Sequence, residues 1–471
     1  MNKRDICYMS AVEMREKIKT QELSSLEITE QIIERIKEIN PIINAYCTPT
    51  FERAREMARK ADDMVKNNED LGLLHGIPIS IKDLIITKDI RTTFGCVIYE
   101  ENIPDRDEVV VKRLKDADIV LLGKTNTPAF GHQAVTDNEI FGKTKNPWNR
   151  ERTSGGSSGG AAAAVVSGLG PLAIGSDGGG SIRIPSSFCG LYGLKPTFGR
   201  IPHHPKLGIN FITLSHYGPI ARYVKDAALM LDAMKGPHEL DRYSLPEQEI
   251  NYIDIIDDKP NDLKIGYSLD LGFVKAINSE VEESILNAVN KFEEFDWSVE
   301  KAEIELEKPN IAFSILVTAG LGYDFEKYLE EWGDKMTPNL VRMAQAGLTY
   351  SSIDLLRARA LRKDIYDQIA KYFETYDILI TPTTAVFPFE LGKMFPSKIG
   401  GKRASPTSWM SFTYPFNLTW NPAASIPCGW SSENTPIGMQ IIGRRFDEKT
   451  VLQVSKAFQE VAPWQDKRPQ F

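Results

Sequence analysis

Ser154-Gly-Gly-Ser-Ser-Gly-Gly-Ala-Ala-Ala-Ala-Val-Val166 opens a small-residue stretch that continues through Gly175-Ser-Asp-Gly-Gly-Gly-Ser-Ile-Arg183 to Leu194-Lys-Pro-Thr197. Glycines in such density serve where the backbone turns through positive φ or lies close against another group. A hydroxyl set among them has little bulk around it and is open to a ligand. Ser157 and Ser181 are the two such hydroxyls singled out here, one in each glycine cluster. Between them, Ala161 to Val166 reads as a short buried helix, and Pro171 to Gly175 as a strand running into the second cluster.

Other readings of the stretch compete. A flexible linker would not be interrupted by an apolar AAAAVV run and a strand. A phosphate-cradling Walker loop needs Gly-Lys-Ser/Thr at its end, which neither cluster has, and no strand–loop–helix context supports a dinucleotide fingerprint. Gly155 to Gly159 matches G-x-S-x-G, the nucleophile-elbow pattern of α/β-hydrolases, but so short a pattern is weak in so glycine-dense a segment.

Longer motifs in order are more specific. The GGSSGG cluster, the step of twenty-four residues to Ser181, GSDGGGSIRIPSSFCGLYGLKPT and the upstream His75-Gly-Ile-Pro-Ile-Ser-Ile-Lys-Asp83 resemble the signature of the amidase signature family. Its members are serine hydrolases that cleave carboxamides with a Ser–cis-Ser–Lys triad. The similarity extends to Ile426-Pro-Cys-Gly-Trp430 and Pro436 to Glu448 near the end of the chain. It implies that Ser181 is the acyl-accepting nucleophile, that Ser157 relays the proton after a cis Gly156–Ser157 bond, and that Lys82 is the base. Read alone, a lysine in a strand is a solvated edge residue. Gly178, Gly179, Gly180 and Ser181 would direct backbone N–H groups at the oxyanion. Asp177 and Arg183 flank the nucleophile, either pairing to hold the loop or forming a local ion pair. Asp83 would at most orient the strand. Phe130, Gly131, His132 and Gly156 are expected near the substrate.

Composition bounds the alternatives. The 471 residues are 42% hydrophobic and 25% charged, ordinary for a soluble globular enzyme. A net charge of −8 argues against a broad nucleic-acid surface. MNKRDICYMSAVEMREK has no apolar h-region, and the small-residue run Ala161 to Gly175 is too short to span a bilayer. Five dispersed cysteines, without a C-x-x-C pair, fit reduced thiols in a cytoplasmic protein rather than a disulfide frame or zinc site. The six histidines stand in no hydrolase motif. No metal, cofactor, nucleic acid or membrane is expected; the partner is a small amide substrate, with a homodimer left open.

In chain order, capping boxes at Ser10–Glu13 and Ser24–Glu27 start two helices. The second carries Ile28, Ile32, Ile36 and Ile39 as one stripe and is expected to stop at Pro41. A charged helix covers Phe51 to Lys66. Ile77 to Ile86 reads as a strand with its isoleucines on one face and Lys82 on the other. Ile119 to Leu122 is a strand, and Gly218 to Met234 a helix with its lead-in. Pro237 to Asp262 is a surface connection. Leu263 to Tyr267 is a strand, Ser279 to Phe295 a capped helix, and Ile311 to Phe373 mostly helical. Ile378 to Thr381 and Pro436 to Gly443 are strands, and Asp447 to Val461 the closing helix.

Alternating strands and helices predict an α/β protein: one α/β/α domain over 1–471 with a mixed central sheet covered by helices. Within it, 1–70 is helical, 71–200 carries the signature and 201–471 shapes the substrate site. The leading function is a stand-alone carboxamide hydrolase releasing ammonia or an amine. The first alternative is the glutaminase (A) subunit of a tRNA-dependent amidotransferase. Those subunits resemble this chain in the triad but carry a Y-Y-x-K-A-Q segment where Ile353 to Arg362 stands here. The second is a non-catalytic binding protein on the same fold. At Trp420 the family most often has glycine. An indole there, on the order of 200 Å² of surface, would either narrow the acyl pocket or point into the core or toward a partner chain.

Overall fold

A computed structural model of the chain describes residues 3–204 and 213–471. Successive side chains of a strand point to opposite faces, and in this chain both faces are buried. Ile378 and Ile380 enter one apolar cluster while Leu379 enters another, and Ile441 and Ile442 divide in the same way. A sheet buried on both sides needs helices on both sides.

The strands are β1 (Tyr46–Pro49), β2 (Pro78–Lys82), β3 (Val120–Thr125), β4 (Leu172–Asp177), β5 (Tyr192–Lys195), β6 (His216–Ala221), β7 (Lys264–Tyr267), β8 (Ser298–Lys301), β9 (Ile378–Pro382), β10 (Lys398–Ile399), β11 (Lys402–Arg403), β12 (Ala423–Trp430) and β13 (Pro436–Gly443). All but the β10–β11 hairpin join one sheet, in the order β1-β3-β2-β4-β6-β5-β12-β13-β9-β7-β8. β2 is parallel to both β3 and β4, and β7 to both β8 and β9; the other pairs are antiparallel. The architecture is α/β with a mixed sheet flanked by helices, as expected.

One layer holds the helices Ser25–Ile43, Val109–Asp116, Val224–Met234, Ser279–Lys291 and Glu448–Val461, whose apolar faces share a cluster with Ile79, Ile81, Ile174 and Met439. Opposite them lie Gly159–Val166 and Arg183–Cys189 against Ala173 and Ile220, and Pro309–Phe325 and Ser352–Tyr372 against Leu379 and Ile442. Gly159–Val166 has no polar side chain and is buried all round, as a helix packed on every side must be. Among the described residues no helix is long and apolar enough to cross a membrane.

Several boundaries differ from the sequence reading. Helix Ser25–Ile43 passes through Pro41 and ends at Asn44, which takes φ 56. The loss of one amide costs only one turn's bond, and Asn40 Oδ1 accepts the amides of Ala45 and Tyr46 just beyond. β2 stops at Lys82 rather than Ile86, because Asp83 accepts the Thr93 amide at 3.0 Å and its hydroxyl at 2.6 Å and turns the chain. The helix at Ser279 is capped by Asn278, not by a box of its own serine. The lead-in at Gly218 is part of β6, hidden in the sequence by Pro219, which cannot donate to a ladder.

Candidate active site

β2 and β4 are adjacent and parallel, with Ile81 opposite Ile174, so their carboxyl ends lie side by side. Lys82 closes β2, and Ser176 and Asp177 close β4. The loop before helix Gly159–Val166 brings Ser157 and Ser158 to the same edge, and the cis Gly156–Ser157 bond stands at its turn. Lys82 Nζ lies within hydrogen-bond distance of three hydroxyls, Ser157 Oγ at 2.7 Å, Ser158 Oγ at 2.9 Å and Ser176 Oγ at 3.0 Å. The lysine is fully buried. Burial drives its pKa well below the ordinary lysine value, and the charge of Asp177 opposes this without cancelling it. Lys82 is thus not the solvated edge lysine that a strand position alone suggests. Ser158 and Ser176 stand inside the quoted motifs, yet nothing in the sequence separates them from neighbouring loop hydroxyls.

Asp177 and Arg183 form the buried pair that holds the second glycine loop. Arg183 Nε donates to Asp177 Oδ2 and Nη2 to Oδ1, each at 2.9 Å. Burial would raise the Asp177 pKa, but the Arg183 charge and its hydrogen bonds hold it far below the carboxylate range. Arg183 also donates to Gln440 Oε1, Asn417 Oδ1 and the Thr413 carbonyl. Thr413, Asn417 and Gln440, more than 200 positions away, stand in stretches similar to the family, but the sequence alone assigned them no role at the loop. Asp83 has a comparable scaffold role: besides turning the chain it lies 3.9 Å from the buried Lys124.

Ser181, half-buried, lines a cavity of about 190 Å³ with Ser157, Ser176, Gly178, Gly179 and the segment Phe130-Gly-His132. Among the described residues the amides of Gly178, Gly179 and Ser181 have no acceptor. The Gly180 amide, in contrast, donates to Asp177 Oδ1 at 2.7 Å and is not free for an oxyanion. Gly180 tightens the loop instead. A Cβ on Gly131 would lie 3.0 Å from Ser157 Oγ, so only glycine leaves that hydroxyl its place. Gly156 does not line the cavity; its Cα faces the Val135 backbone. Apolar walls come from Phe94, Phe130, Phe313, Trp409 and Met410. His132 donates Nδ1–H to the Ala129 carbonyl at 2.7 Å, and burial lowers its pKa to about 4, so its ring is neutral.

Trp420 lies elsewhere. Its ring stacks on Phe198 at 4.8 Å, its Nε1 donates to the Thr213 carbonyl at 2.6 Å, and it lines a second cavity instead. The indole is neither in the acyl pocket nor fully in the core; it is a half-buried wall of the second cavity. His75 is also remote, held between Asp118 and the Ala61 carbonyl. Among the described residues no histidine is hydrogen-bonded to Ser157, Ser158 or Ser181.

A family model described as Amidase matches residues 27–452. An acylamidase of Rhodococcus erythropolis is 37% identical over 475 residues, covering 100% of this chain and 98% of the relative. The A-chain component of a glutamyl-tRNA(Gln) amidotransferase from a Sulfurihydrogenibium species is 35% identical over 98% of this chain and 99% of its own. The crystal structure of a bacterial aryl acylamidase of the amidase signature enzymes superposes with a TM-score of 0.91, at 29% identity over 97% of each chain. The chain belongs to the Amidase family, the amidase signature enzymes, and hydrolyses amides.

Proposed function

We propose that the chain is a stand-alone amidase, acting through an acyl-enzyme on Ser181, for small carboxamides with an apolar acyl group. The observation that carries this reading is the 2.7 Å contact between the buried Lys82 Nζ and Ser157 Oγ. A neutral amine has two N–H donors and one lone pair. It donates to Ser158 and Ser176 and takes the proton of the Ser157 hydroxyl. Ser157 in turn takes the proton of Ser181 as Ser181 Oγ attacks the amide carbon. The carbonyl oxygen becomes an oxyanion facing the amides of Gly178, Gly179 and Ser181; each such donor is worth roughly 3 kcal/mol in the transition state. Collapse breaks the C–N bond as the proton returns through Ser157 to the leaving nitrogen. Water then attacks the ester by the same relay, and the carboxylic acid and free Ser181 result.

The walls of Phe94, Phe130, Phe313 and Trp409 favour a flat or compact apolar acyl group, which accords with the acylamidase relatives. The rival is delivery of ammonia to a partner protein, as in the amidotransferase relatives. Ile353 to Arg362 lacks the segment typical of those relatives. The test is ammonia release from a panel of simple amides by the purified chain alone, with a fluorophosphonate label mapped to its peptide. Release without a partner and label on Ser181 are expected. Activity only with a partner, or label elsewhere, overturns the reading.

A further inference from the structure

Among the described residues, the second cavity, of about 980 Å³, is lined by Arg242, Arg359, Arg362, Lys363 and Arg445 and by no aspartate or glutamate. Lys363 is paired with Asp367. The four arginines have no ion-pair partner among the described residues; Arg242 and Arg359 are exposed at the rim, while Arg362 and Arg445 are half-buried. Arg362 donates Nε to the Leu418 carbonyl at 2.7 Å and its two terminal nitrogens to Thr213 at 2.9 and 3.0 Å, all neutral acceptors. Burial, opposed by Tyr243 and reinforced by Arg359, lowers its pKa to about 10, so it keeps its charge at neutral pH. Arg445 lies 5.3 Å over the Trp420 ring and 5.6 Å over Tyr366, with its buried Nε unpartnered. Arg362 covers Trp420 at 4.9 Å.

Half-buried guanidinium charge without a counter-charge, as at Arg362 and Arg445, is costly unless an anion completes it. A guanidinium fork matches a planar carboxylate, and Tyr243, Tyr323, Leu316 and Leu355 add apolar wall beside it for the body of such a ligand. The cavity is also near the chemistry. Along helix Pro309–Phe325, Phe313 and Val317 face the catalytic cavity, while Leu316, Gly320 and Tyr323 face this one. Amide hydrolysis turns a neutral substrate into a carboxylate. We propose that the cavity around Trp420, Arg359, Arg362 and Arg445 is a binding site for aryl or arylalkyl carboxylates, the class of acid released when the amidase cleaves a matching amide. The link to product rests on the proposed acyl preference; the site itself does not.

The experiment titrates Ser181→Ala protein with phenylacetate and phenylacetamide by calorimetry, which needs no turnover. Phenylacetate affinity is expected to fall at least tenfold in Arg359→Gln/Arg445→Gln protein, with phenylacetamide binding unchanged. It should also weaken as NaCl is raised from about 0.05 to 0.5 M, a test that needs no arginine variant. Phenylacetate binding within threefold of the parent in the double variant, or binding indifferent to salt, overturns the site. Phenyl phosphate binding more than tenfold tighter than phenylacetate overturns the carboxylate assignment. Absence of amidase activity alongside arginine-dependent phenylacetate binding would sink the catalytic reading and leave the site standing.

Discussion

Lys82 Nζ and Ser157 Oγ are 2.7 Å apart although 75 positions separate the residues in the chain. The contact exists because parallel β2 and β4 end together and the glycine loop folds over their shared edge. Its chemical consequence is a buried lysine stripped of the water that would keep it charged.

Lys82→Met keeps most of the side-chain volume and removes the base. We expect kcat to fall by about 10³-fold or more, since a positioned proton acceptor contributes roughly 10²–10⁴-fold, with Tm at pH 7 no lower than wild type. Both are read from one preparation, by ammonia release and thermal unfolding. Retention of a tenth of the activity would remove Lys82 from the mechanism.

The pH dependence follows from the same burial. The unfolded chain binds the lysine proton once pH falls below about 10.5, the folded chain only at much lower pH. Across that window the unfolded state carries more protons, so this residue makes stability rise with pH. kcat/KM should also rise with pH through the folded-state pKa of Lys82 and then level. Lys82→Met should show a shallower slope of urea stability against pH. An acid-side activity optimum would contradict a neutral-lysine base.

Gly131→Ala tests the geometry around the relay. The new Cβ would meet Leu84 at 2.8 Å and Ser157 Oγ at 3.0 Å, at a backbone φ of +69°. A displacement of the hydroxyl by a few tenths of an ångström to 1 Å should cost about 10²-fold in kcat. The measurement is steady-state kinetics on a folded, monodisperse variant; unchanged kcat means Ser157 tolerates movement and relays nothing.

Arg183→Met leaves Asp177 buried without its counter-charge. Breaking a buried pair by removing one partner costs about 3–5 kcal/mol, and urea unfolding should show a loss of that size. A loss below about 1 kcal/mol would mean that Asn417 and the loop amides suffice to hold Asp177.

Trp420→Gly should leave the ratio of kcat/KM for short and long acyl amides unchanged, because the indole is outside the catalytic cavity. Loss of its stacking on Phe198 should lower stability by about 2 kcal/mol. A shift toward longer acyl groups would return Trp420 to the substrate site.

The sequence by itself determined the family and the alternation of strands and helices, and it singled out Lys82, Ser157 and Ser181 as the triad proposed here. Those residues sit in long contiguous motifs whose glycines and hydroxyls leave few other readings. The charged helix Phe51–Lys66 was legible to the residue, whereas the striped helix Ser25–Ile43 ran past the proline expected to stop it. Tertiary structure decided what depends on neighbours distant in the chain. β6 and β12 carry prolines and become strands only because flanking strands supply the ladder. Gly180 and Gly178 look alike in sequence, yet Asp177 claims one amide and no described acceptor claims the other. Trp420 is an unexplained indole until Phe198, Arg362 and Arg445 are brought around it from three parts of the chain. Burial, which holds Lys82 well below the ordinary lysine pKa, is a property of packing and is written at no single position.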